Sequence, residues 1–251
     1  MTPAPLDLWL IGIGTGSPAH VTGEGMQALR DAAVILVPHK GAGKDDLAAL
    51  RHDILRASGT QAQVIGFDYP LRDPALPYRE RVAHWHDEIA RRWQGALAKA
   101  KRSGPVALLV WGDPSLYDST LRIARRLAPV PRLRVVPGIT AIQALTAAHA
   151  LTLNTVNGLV TITTGRRLRD HGWPDGAETL VVMLDGDCAF QTLPPETHIW
   201  WGAFLGMPKQ ILDHGRIGDV AQRIIKARAE ARARHGWIMD TYLLRAQTAD
   251  P

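Results

Sequence analysis

Apolar and polar positions divide the chain into short apolar-rich runs separated by longer amphipathic stretches. The runs fall at residues 8–13, 34–37, 64–67, 106–110 and 133–136. The run Val106-Ala107-Leu108-Leu109-Val110 is unbroken and shows no alternation. A strand buried on both faces, as in a parallel sheet, reads this way. Between the runs, apolar residues recur at helical spacing. Met26, Leu29 and Ala33 mark one helix, and Leu47, Leu50, Ile54 and Leu55 a second. Val82, Trp85, Ile89, Trp93 and Leu97 form one stripe of a long helix over about residues 78–101. Leu121, Ile123, Ala124 and Leu127 follow Ser119 or Thr120 as a fourth. Thr22 is a side chain suited to capping the first helix. Strand and helix thus alternate five times, which predicts a mostly parallel five-stranded sheet with helices on both faces.

A helix at 139–150 leads into the second half. Strands are expected there near 159–163, 180–184 and 199–202, a helix at about 219–233, and a terminal strand at 237–244. Strands following one another more closely predict a mixed sheet. The expected division is an N-terminal α/β domain, residues 1–137, and a C-terminal α/β domain, residues 138–251.

Composition narrows the class only slightly. A chain of 251 residues, 46% hydrophobic and 21% charged, can bury a sizeable core as an ordinary globular protein. No apolar run is long enough to span a bilayer, and residues 1–8 lack the features of a secretory signal. Cys188 is the sole cysteine, so no internal disulfide can form and a reducing, cytoplasmic setting is expected. The net charge of +5 suits nucleic acid or a small polyanionic substrate equally. Its arginine clusters at 91–92, 125–126 and 228–234 read as solvated helix faces.

Several chemistries are excluded by their missing residues. Gly12-x-Gly14-x-Gly16 lacks the later glycine of a nicotinamide loop, and the second strand ends Val37-Pro38-His39 without the required acid. Gly41-Ala42-Gly43-Lys44 is followed by Asp45, where a P-loop needs Ser or Thr. His84 and His86 lie two apart on a helix and point away from each other. Neither Cys-x-x-Cys, His-Glu-x-x-His nor Gly-x-Ser-x-Gly occurs, so no metal site is expected and serine hydrolysis has no support. Cys188 reads as a small buried residue. Glycine-rich strand ends remain, at Gly12–Gly16, at Gly112-Asp113-Pro114 and at Pro137-Gly138. In open α/β sheets the carboxyl ends of strands form the ligand crevice. Loops of this kind bind through backbone groups and suit a cofactor that brings its own chemistry.

These motifs, in this order, resemble the tetrapyrrole methylase family across nearly the whole chain. The resemblance rests on the glycine loop at 12–16, Gly-Asp-Pro-x-x-Tyr at 112–117 and Val-Pro-Gly-Ile-Thr-Ala at 136–141. Val181-Val182-Met183 and Gly202-Ala203-Phe204 match later segments. The family implies two α/β domains with S-adenosyl-L-methionine in the cleft between them, S-adenosyl-L-homocysteine as product, and a homodimer. By motif position its cofactor contacts fall on Thr15, Trp111, Gly112, Asp113, Leu116, Thr140, Ala141, Met183 and Ala203. Thr15 stands where the family usually has proline, Asp118 where many members have glycine, and Leu151-Thr152-Leu153 where Ile-Pro-Leu is usual.

Residues 111–120, 163–169 and 200–206 are most similar to members acting on precorrin-5 in aerobic cobalamin biosynthesis. These methylate carbon 1 of the macrocycle and release its acetyl group as acetate. The resemblance thus implies a polycarboxylate tetrapyrrole as partner, with neither nucleic acid nor membrane. Deacetylation calls for a general base and a donor to the developing oxyanion. Asp118, His39 and Asp185 are candidates for the base, and Tyr117 for the donor. Lys40, Arg166, Arg167 and Arg169 are candidates for holding the carboxylates. A relative acting at another ring carbon, a ribosomal-RNA ribose methylase of the same fold, and a tetrapyrrole carrier remain as alternatives.

Overall fold

The five apolar runs of the first half form one all-parallel sheet. Its strands are β1 (Asp7–Gly12), β2 (Val34–His39), β3 (Gln63–Asp68), β4 (Val106–Val110) and β5 (Arg132–Val136). They lie in the order β3-β2-β4-β1-β5. The structure is a computed structural model that describes residues 5–39 and 45–246. Every residue of β4 is buried, as its unbroken apolar run requires. Alternate side chains of the strands enter two cores. On one face Leu8, Leu10, Leu36 and Leu108 pack with Ile89 and Trp93 of α3 (Tyr78–Leu97) and Ile123 of α4 (Thr120–Ala124). On the other, Ile11, Ile35, Val37 and Leu109 pack with Ala28 and Leu29 of α1 (Gly23–Asp31) and Ile54 of α2 (Asp45–Ser58). Thr22 caps α1 as its sequence position suggests, accepting a 3.0 Å hydrogen bond from the Gly25 amide.

The chain divides into two units, residues 1–140 and 141–251. The second contains α5 (Ala141–Ala148), β6 (Val160–Thr164), α6 (Gly165–His171), β7 (Thr179–Met183) and β8 (His198–Ala203). It continues with β9 (Ile211–Arg216), α7 (Ile217–His235) and β10 (Asp240–Arg245). Its sheet is mixed, in the order β6-β7-β10-β8-β9, with β6 and β7 parallel and the other neighbours antiparallel. Because β10 runs against both β7 and β8, the carboxyl ends of β6, β7 and β8 share one edge. Thr164 pairs with Met183 there, and Ala203 pairs with Asp240.

Three elements differ from the sequence pattern. Strand β9 carries Asp213, His214, Gly215 and Arg216, and only alternate positions are partly buried. As the outer strand of the sheet it needs little apolar content, so the pattern does not mark it. Helix α6 is arginine-rich and buries only Gly165 and Leu168. The terminal strand begins at Asp240 rather than at 237. Trp237 instead packs edge-on against Phe204, with ring centroids 4.9 Å apart. Among the described residues no helix is long and apolar enough to cross a membrane.

Candidate functional site

Parallel register brings the glycine-rich ends of β1, β4 and β5 together at the carboxyl edge of the first sheet. Gly12 pairs with Val110, and Ile11 with Val136. Beyond the strands, Gly14 and Gly112 exchange backbone hydrogen bonds of 3.2 and 2.8 Å. Gly138 closes onto both neighbours. A Cβ there would lie 2.1 Å from the Gly112 carbonyl oxygen and 2.8 Å from Gly12 backbone atoms. Only glycine permits backbones to approach so closely. Gly112 itself takes a left-handed φ of 64°, and a Cβ there would enter open space whose nearest atom is the Thr140 Cα, 3.9 Å away.

Asp113 fastens this edge. Its Oδ2 accepts from the Gly138 amide at 2.9 Å, and its Oδ1 accepts from the Ser115 amide at 2.8 Å and from the Ser115 hydroxyl. Burial alone would raise the carboxyl's pKa; the hydrogen bonds from Ser115 and Gly138 outweigh it and hold the group below 3.8. A carboxyl depressed in the folded state stabilises above its unfolded pKa, and that contribution is lost as pH falls through the folded value. Asp113→Asn is therefore expected to cost about 1–2 kcal/mol near neutral pH, and little at pH values low enough to protonate the native carboxyl. Urea unfolding of both proteins across that acid range measures the convergence.

Most other described candidates of the first unit lie at strand ends or in the loops beyond them. Thr15 is 4% exposed and its hydroxyl lies 3.0 Å from His20 Nδ1. Trp111 and Leu116 are half-buried on the loop after β4. Tyr117 is exposed, with a left-handed φ of 49°. Asp118 Oδ1 accepts from the Thr120 amide at 2.6 Å, opening α4. His39 is the last residue of β2, and Lys40 lies outside the described residues. His84 is exposed while His86 is buried, so the two do not converge.

In the second unit, Met183 and Ala203 end β7 and β8 on the shared edge. Ala141 begins α5. Asp185 follows in the loop after β7 and is 7% exposed. Its Oδ2 accepts from the Ala189 amide and the Tyr242 hydroxyl, both at 2.7 Å, and its Oδ1 from the Asp187 amide at 3.0 Å. Three donors on a buried carboxylate give Asp185 the work of holding the loop. Burial, and then Asp185, push the Tyr242 hydroxyl pKa far up, so Tyr242 stays a donor. Arg166 and Arg167 are exposed in α6, whereas Arg169 is paired with Asp187 at 2.6 Å and with Asp170.

The basic run 228–234 reads as a solvated cluster, and the structure corrects this for Arg228. Its side chain is 11% exposed and its Nε bonds Asp240 Oδ2 at 2.8 Å. Its other nitrogens donate to the Asp185 and Gly186 carbonyls at 2.5 and 3.1 Å. Trp201 Nε1 donates to the same Asp240 oxygen at 2.9 Å. A basic run gives no sign of the inward member; only the position of Arg228 one turn after buried Ile224 does. Cys188 is buried, and burial pushes its thiol up, away from nucleophilic character. Among the described residues no three His, Cys, Asp or Glu side chains gather to hold a metal.

Residues 7–221 match the family model of Tetrapyrrole (Corrin/Porphyrin) Methylases. The chain belongs to this family. It is 45% identical over 245 residues, 94% of each chain, to a Sinorhizobium sp protein named precorrin-6A synthase [deacetylating]. A solved Corynebacterium diphtheriae structure, described as a cobalamin synthesis related protein (CobF), is 39% identical with a TM-score of 0.82, covering 96% of this chain and 99% of that one. A likeness of fold extends to the Thermus thermophilus uroporphyrin-III C-methyl transferase complexed with S-adenyl homocysteine. That structure is 19% identical, with a TM-score of 0.57 over 96% of this chain and 97% of that one.

Tetrapyrrole methylases use S-adenosylmethionine, and the first unit has groups that fit it. A Cβ at Gly112 would meet no atom nearer than the Thr140 Cα, and Asp113 is already satisfied within the protein.

Proposed function

We propose that this tetrapyrrole methylase is an S-adenosylmethionine-dependent C-methyltransferase that converts precorrin-5 to precorrin-6A, with release of acetate. The supporting observation is 45% identity over 94% of both chains to a relative carrying that activity in its name. In this reading Trp111, Gly112, Leu116, Thr15, Thr140 and Ala141 hold the cofactor, with Met183 and Ala203 as contacts in the second unit. Asp113 contributes by fixing the strand ends. When bound, the cofactor supplies an electrophilic sulfonium methyl group; the chain's own residues orient the reactants and manage the proton.

Deacetylation uses one water. Its oxygen attacks the acetyl carbonyl while its proton passes to a carboxylate, for which we assign Asp118. The carbon–carbon bond to carbon 1 then breaks, acetate leaves, and the electron pair stays on carbon 1, where the methyl group is accepted. Among the described residues the Asp118 carboxylate accepts one hydrogen bond, from the Thr120 amide to Oδ1, whereas both oxygens of Asp185 are engaged. Tyr117, exposed on the preceding position, donates to the oxyanion. Arg166, Arg167 and Lys40 bind the macrocycle's carboxylates.

Asp118→Asn preserves the hydrogen bond to Thr120 and removes the base. Acetate release from precorrin-5 is expected to fall about 100-fold while S-adenosylmethionine affinity is unchanged. Acetate measured by a coupled assay, beside calorimetric cofactor binding, checks this. Full acetate release by the variant would reject Asp118 as the base.

A further inference from the structure

Three imidazoles meet within the second unit. His149 follows the last turn of α5, His198 opens β8, and His214 lies on the outer strand β9. The His149 and His214 rings stand edge to face with centroids 5.7 Å apart, and the His198 and His214 rings stack at 6.3 Å. Register explains the meeting. Trp200 pairs with His214 across β8 and β9, and His198 pairs with Arg216 on one side and with Arg245 of β10 on the other. The Trp200 ring covers His198 from along the strand, with centroids 4.3 Å apart. The tautomer of His149 is fixed: its Nε2 lies 3.0 Å from the Trp201 carbonyl oxygen, which can only accept, so Nε2 carries the hydrogen. That bond ties the end of α5 to β8 and leaves Nδ1 to take a second proton.

The charges around these rings favour the neutral form. Arg216 and Arg245 flank His198. Arg245 lies 5.4 Å from the Trp200 ring centroid and donates to the Thr179 hydroxyl and the Thr152 carbonyl, all of them uncharged groups. The acid that acts on His149 is Asp213, and Arg223 of α7 already holds it through hydrogen bonds of 3.2 and 2.8 Å. Burial, then His214, Arg216 and Arg245, hold the His198 pKa below its ordinary 6.5. Burial lowers that of His149 more than the Trp201 carbonyl raises it, and His214 lowers it further. Both rings are therefore neutral at pH 7, while exposed His214 meets solvent protons directly. We propose that His149, His198 and His214 form a proton-sensitive latch between the end of α5 and the β8–β9 hairpin, closed while the rings are neutral and released as they take on charge. A group whose pKa is depressed by folding stabilises fully above its unfolded value, and that share is lost as pH falls through it toward the folded value. The latch thus holds at neutral pH and opens between about pH 6.5 and 5.

Amide hydrogen exchange of the intact protein near neutral pH and at mildly acid pH, corrected for the intrinsic rate, tests the latch. Peptides covering the end of α5 and strand β9 should exchange about tenfold faster on acidification, while peptides from β2 and β4 change less than about twofold. Replacing two rings together, His198→Gln with His214→Gln, removes their charges and should keep both segments within about twofold of their neutral-pH rate. His214→Lys places a fixed charge in the cluster and should open both segments already at neutral pH. Undiminished protection of both segments in acidified wild-type protein would overturn the latch. So would an acid opening that survives in the double-glutamine variant, since it would belong to other groups such as buried His86 of the first unit. Wild-type protection of His214→Lys at neutral pH would overturn it too, and decides the matter if the glutamine pair by itself loosens the hairpin.

Discussion

Gly138→Ala is expected to destabilise the protein by about 3 kcal/mol and to abolish most of its cofactor binding. The added Cβ would stand 2.1 Å from the Gly112 carbonyl oxygen and 2.8 Å from Gly12, and all of these atoms are backbone. No side chain can swing aside, so the ends of β1, β4 and β5 must separate. Separation also breaks the 2.9 Å bond from the Gly138 amide to Asp113, which leaves the loop after β4 without its anchor. For a chain of this size the loss corresponds to a fall in melting temperature of about 6–12 °C. Gly95→Ala provides the contrast. Gly95 lies exposed within α3, with no atom within 4 Å of an added Cβ, so helix propensity alone predicts a gain of about 1 kcal/mol. Thermal unfolding of the two variants, with calorimetric titration of S-adenosylmethionine, separates close backbone packing from a general intolerance of substitution.

Arg228→Met is expected to cost about 3–5 kcal/mol. The substitution keeps an unbranched chain of similar length and removes the charge, leaving the Asp240 carboxylate, 8% exposed, with Trp201 as its described hydrogen-bond donor. It also releases the Asp185 and Gly186 carbonyls, so the loop after β7 loosens. Melting temperature should fall on the order of 10 °C. Adding Asp240→Asn removes the stranded charge and keeps an acceptor for Trp201. The double variant should recover most of the stability while leaving the loop unclamped. If the single and double variants unfold alike, the cost lies in the carbonyl contacts rather than in the buried ion pair.

Much of the first unit is legible in the sequence because each strand must be apolar on both faces and each helix must show a stripe. Residues 106–110 and the stripe Ile89–Trp93 leave few alternatives. The glycine-rich strand ends are legible for a related reason: only glycine permits the approach of Gly12, Gly112 and Gly138. Strand β9 was not legible, since an outer strand with one half-buried face can be built from Asp, His, Gly and Arg. Nor were the buried partners of the second unit. Arg228 sits in a basic run and looks solvated until Asp240, twelve residues away, folds onto it. Asp185 reads as a free acid at a strand end until the Tyr242 hydroxyl, fifty-seven residues away, meets it. Long-range pairing of polar groups leaves no local period, so sequence reasoning gives their residue types and not their roles. Family resemblance located the candidate loops; the hydrogen bonds show Asp113 and Asp185 holding those loops, roles that no local pattern announces.

In the proposed reaction, methyl transfer and deacetylation are coupled on one macrocycle. Incubating the protein with precorrin-5 and methyl-labelled S-adenosylmethionine, and following acetate and product mass together, tests this directly. One acetate should be released for each labelled methyl group incorporated. Methyl incorporation without acetate would contradict it and move the activity to another ring position.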